Sequence, residues 1–74
     1  MSSPDGQWSR ITVEERAALA AAATGLAVAE VAERLGYSPE VVRRLLESVM
    51  VKLGAHSKLE AIVVARRAGR IELL

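Results

Sequence analysis

Apolar residues recur along this chain at three- and four-residue intervals, and no run alternates with polar residues for long enough to make a convincing strand. The periodic runs end at Gly25, Gly36, Gly54 and Gly69, the residue type that most readily closes a helix. Thr12 followed three positions later by Glu15 is a capping box, so the first helix spans about Val13 to Thr24. A second helix, about Val28 to Leu35, starts weakly. Ala27 stands where a hydroxyl or amide should accept a hydrogen bond, an omission that costs about 1 kcal/mol. The third helix has the clearest start: Ser38 as N-cap, Pro39 in the first helical position and Glu40 against the positive end of the dipole. It runs to about Leu53 and carries Val42, Leu45, Leu46, Val49, Met50 and Leu53 as one apolar stripe. Glu40, Arg44, Glu47, Ser48 and Val51 lie opposite, with Arg43 and Lys52 at the flanks. A second capping box, Ser57 with Glu60, opens a fourth helix of about Lys58 to Ala68. The expected fold class is all-α.

At 74 residues the chain holds one small domain, read as a flexible head over residues 1–10 and a helical domain over 11–74. Trp8 and Tyr37 are the only aromatic residues, and alanine supplies much of the apolar content, so the core is thin and its helices pack closely. Cysteine is absent, which excludes disulfides, thiolate zinc sites and thiol nucleophiles. His56 is the single histidine and is expected at the surface. No metal site or Ser/His/acid triad can be assembled around it, so the sequence predicts no enzyme, cofactor or small-molecule substrate. A domain below about 80 residues gains little from its own core, which makes a dimer the expected state. No apolar run reaches the ~18 residues of a membrane span and the polar opening is no signal peptide, so a cytoplasmic protein without membrane contact is expected. The formal net charge of +1 is a weak footprint for nucleic acid.

Gly36-Tyr37-Ser38 joins helices two and three so tightly that they must pack at once and at a steep angle. A short helix, a glycine-containing turn and a longer amphipathic helix make a helix-turn-helix pattern. Around it stand Ile11-Thr12, Glu15, Gly25, Glu30-Val31-Ala32, Leu35, Ser38, Val42-Arg43, Lys52-Leu53-Gly54 and Ser57-Lys58. This series resembles the LuxR-type (GerE/NarL/FixJ-like) DNA-binding domain, and with the short head it is most similar to stand-alone, single-domain members. The resemblance implies a four-helix domain of the winged-helix-like superfamily, without a wing. It also implies a homodimer that binds double-stranded DNA with helix three in the major groove and helix four at the dimer contact. The chain departs from the family pattern at Val41 for threonine, Leu45 for histidine, Ser48 for asparagine, and at the acidic Glu47.

Within that frame Arg44 and Glu47 are the candidates for base edges, because arginine can donate twice to guanine and a carboxylate can accept from cytosine. Arg43, Ser48 and Lys52 are candidates for phosphate, joined by Ser38, Glu40 and the amides at the start of helix three. Leu59, Ile62, Val63 and Arg66 are expected at the dimer interface, with Ile71, Leu73 and Leu74 extending the apolar patch. The expected function is a non-catalytic DNA-binding transcriptional regulator, with RNA polymerase as a further candidate partner. The alternative is a protein-interaction module that uses Val41, Glu47 and Val51 to hold a sigma factor, a polymerase subunit or another regulator.

Overall fold

A computed structural model describes residues 8–71. A single 3-10 turn, Trp8–Arg10, leads into α1 (Val13–Ala23), α2 (Val28–Leu35), α3 (Pro39–Leu53) and α4 (Lys58–Arg67). The all-α, four-helix reading holds, and no strand occurs among the described residues.

The helix starts follow the local signals. Thr12 Oγ1 accepts from the Glu15 N–H at 3.0 Å while the Thr12 N–H donates to Glu15 Oε1 at 2.8 Å, completing the box. Ser38 Oγ accepts from the Val41 N–H, and Ser57 Oγ from the Glu60 N–H, which is the serine half of the expected Ser57–Glu60 box. The poor start of α2 is partly relieved. Ala27 has no side-chain acceptor, but its N–H donates to Glu30 Oε1 at 3.1 Å, so half of a box survives. At the ends, Gly36 (φ +77°) and Gly54 (φ +66°) reverse the chain in the left-handed region, where a Cβ is strained. The following N–H groups then reach back: Tyr37 to the Ala32 carbonyl and Ala55 to the Met50 carbonyl, both at 2.9 Å. Thr24 lies just past α1 as its cap rather than in its last turn, with its hydroxyl donating to the Ala21 carbonyl.

α1 and α2 both pack against α3, and α4 closes the bundle across α1 and α3. Leu19, Val31, Val42 and Val49 are fully buried at the centre. Small residues, Ala18 and Ala22 on α1 with Ala61 and Ala65 on α4, let the helices approach closely. On α3 the buried edge is narrower than the predicted stripe: Val42, Leu46, Val49 and Leu53 are buried, while Leu45 and Met50 are half-buried flanks. No described helix is long and apolar enough to cross a membrane.

The described part of the head, Trp8–Arg10, is a 3-10 turn that packs Trp8 onto the helical body. The indole is only 6% exposed, and the Arg70 guanidinium sits 5.6 Å from its ring centroid, so a cation–π contact covers it. Ile71 is buried in the same core and is not part of an outer patch. The remaining head residues 1–7, together with Leu73 and Leu74, lie outside the described residues. Trp8→Ala is expected to lower unfolding free energy by about 3 kcal/mol, the usual cost of emptying a large aromatic site. Arg70→Ala is expected to cost only about 0.5–1 kcal/mol. Urea melts measure both, and equal losses would show that the indole is not part of the core.

Candidate nucleic-acid interface

The turn between α2 and α3 fixes the outward face of α3. Tyr37 is half-buried, the Ser38 hydroxyl caps the helix, and the Val/Leu edge of α3 is pressed into the core. At about 100° per residue, the direction opposite that edge falls at Arg44. Val51, Glu40 and Glu47 follow within about 60° to one side of it. All four side chains are exposed, as are Arg43, Val41 and Ser38. Neither Arg43 nor Arg44 is ion-paired among the described residues, although Glu40 and Glu47 stand at helical spacing from them.

Lys52 is placed otherwise. Its ammonium donates to the Arg10 carbonyl at 2.8 Å and to Glu15 Oε1 and Oε2 at 2.8 and 3.0 Å, so all three of its protons are engaged within the chain. Lys52, a phosphate candidate, thus also bolts the start of α1 to the end of α3. Ser48 is half-buried one turn earlier on α3 and faces the same carboxylate. Of the three phosphate candidates on the body of α3, Arg43 is the one whose side chain stands clear.

Glu15 is 3% exposed, and four interactions converge on it. Burial alone pushes its carboxyl up. Hydrogen bonds from Lys52, Ser48 and the Thr12 N–H, together with the Lys52 charge, outweigh that and lower it from 4.5 to about 2. Sequence reading found Glu15 as a cap and Lys52 as a surface cation but missed their pairing across 37 positions. No short-range pattern signals such a contact.

On α4 the four expected interface residues divide. Leu59 is 70% and Val63 37% exposed, and Arg66 is exposed with them, at positions that share one face. Ile62 is 7% exposed and belongs to the core, because α4 turns that side chain toward the bundle. His56 is exposed in the loop before α4.

The arrangement is that of a helix-turn-helix domain, with a support helix, a three-residue turn and a longer helix whose charged face is free. Residues 9–65 match the family described as bacterial regulatory proteins, luxR family. Over 65 residues the chain is 42% identical to the HTH-type transcriptional activator RamA of Corynebacterium glutamicum, an alignment that covers 88% of this chain and 23% of that protein. The chain thus spans under a quarter of the length of this curated relative. No solved structure matches it. The chain belongs to the luxR family of bacterial regulatory proteins, a family of regulators and not of enzymes.

The depressed Glu15 pKa has a definite sign. Between about pH 4.5 and 2 the unfolded chain binds a proton at this position that the folded chain does not. The pair's contribution, up to about 3 kcal/mol, is therefore complete above pH 4.5 and lost progressively as pH falls through that window. Urea melts from pH 7 to 2.5 should show a steeper acid loss for the parent than for the double variant E15Q/K52M, which keeps an acceptor for the Thr12 N–H. Parallel curves would remove Glu15 as the acid-sensitive group.

Proposed function

We propose that this chain is the DNA-binding module of a transcription regulator, with α3 entering the major groove and two copies associating across α4. The observation that carries the reading is the exposed sector of α3, where Arg44 and Glu47 stand opposite the buried edge with no partner among the described residues. Arg44 can donate twice to guanine O6 and N7, and Glu47 can accept from a cytosine amino group. Arg43 at the flank, and Ser38 with the first amides of α3, are suited to phosphate. Glu40 shares the sector at the helix start, where the macrodipole favours its charge. Membership of a family of bacterial regulators and the likeness to a transcriptional activator support the same reading. A net charge of +1 implies modest, salt-sensitive affinity.

Leu59, Val63 and Arg66 supply the second element. An exposed leucine and valine beside an arginine on one helix face suit a two-fold contact in which the same patch serves both subunits. Val51, 80% exposed on α3, is the observation that favours a protein-binding alternative, in which the outward face of α3 holds a polymerase subunit or another regulator.

Titrating labelled random-sequence duplex at low and moderate salt separates the two readings. Binding that weakens steeply with salt is expected for the DNA module. No binding even at low salt would overturn it in favour of the protein partner. Arg44→Ala should cost about 1–3 kcal/mol at the preferred site and relax base preference there. Equal affinity and selectivity in parent and variant would remove Arg44 from the contact. Leu59→Asp is expected to convert a dimer to a monomer in sedimentation at high micromolar concentration while retaining its helical circular dichroism, because the side chain is largely outside the core. A parent already monomeric there would exclude the α4 dimer.

A further inference from the structure

We infer that Glu47 is a specificity filter, penalising every duplex that does not present a cytosine amino group at the position it reaches. The inference deepens the DNA reading and rests on α3 entering the groove. Arg43 and Arg44 precede Glu47 by four and three residues, a spacing at which ion pairs form on helices. Neither pairs with it, so its charge is not neutralised within the described chain.

A carboxylate is an acceptor only. Brought between phosphates, it is repelled by the backbone and by the acceptor edges of guanine and thymine alike. Two groups on the major-groove edge donate: the adenine and the cytosine amino groups. The adenine amino group sits beside N7, whose lone pair opposes the second carboxylate oxygen. The cytosine amino group is flanked by a C–H edge and admits both. Glu47 lies about 4.5 Å along the axis from Arg44, near enough for the two to address neighbouring base pairs. Specificity then comes from what Glu47 rejects as much as from what it accepts, and the cost falls on non-specific affinity.

The parent, E47A and E47Q are titrated with random duplex, and then with a duplex selected by the parent from a random pool. In the selected duplex each cytosine is replaced in turn by N4-methylcytosine. That base pairs with guanine only with its methyl group in the major groove, where it removes the groove-side N–H. Both variants are expected to bind random duplex about fivefold tighter, since one repelled charge is gone. Their log–log salt dependence should steepen by up to about one unit. At one cytosine per half-site, N4-methylation should weaken the parent by about tenfold or more and leave E47A, which has no acceptor there, within about twofold, while E47Q, whose amide carbonyl still accepts, loses less than the parent. Variants that bind random duplex no tighter than the parent, or an E47A that loses as much as the parent on methylation at every cytosine, would overturn the filter while leaving DNA binding intact. A parent that binds no duplex at low salt would overturn the DNA reading and the filter with it.

Discussion

Four side chains on one edge of α3, Val42, Leu46, Val49 and Leu53, hold the molecule together and set which face of α3 points outward. Each contributes roughly 1.5–3 kcal/mol by leaving water. Their combined burial exceeds what the Glu15–Lys52 pair supplies, so the apolar edge sets the rotation of α3. Turning the helix by one residue, about 100°, would drive Arg43 toward the core and expose part of that edge. Arg44 and Glu47 point outward because the opposite edge cannot.

The ion pair refines this arrangement. Its carboxylate is shared between the cap of α1 and the ammonium of Lys52, while the same ammonium also grips the Arg10 carbonyl. One buried acid therefore ties three segments: the turn before α1, the start of α1 and the last turn of α3. A buried charge is costly unless its hydrogen bonds are met, and the full set of partners around Glu15 meets that condition. Leucine and valine packing supplies most of the stabilisation, and the pair fixes which turn of α3 faces which turn of α1.

Thin side chains leave little stability in reserve, and the molecule compensates at its margins. Trp8 packs into the core with Arg70 over its ring, adding a large aromatic surface to a bundle otherwise lined by aliphatic side chains, many of them alanine. Leu59 and Val63 remain exposed on α4. The surface chemistry is equally spare. Arginines and glutamates interleave on the exposed face of α3, so that face carries both signs of charge.

The amino-acid sequence by itself determined the helices, their caps, the tight turn after Gly36 and the face of α3 that lies opposite the core. These depend on neighbours within four residues, and hydroxyls, prolines, glycines and apolar spacing specify them locally. Only the tertiary structure decided that Lys52 and Ser48 turn to Glu15 rather than outward, that Ile62 and Ile71 enter the core, and that Arg70 closes over Trp8. Such contacts join positions tens of residues apart. Whether a flank residue of a helix meets solvent or a neighbour depends on how that neighbour crosses it, and helical periodicity carries no record of the crossing.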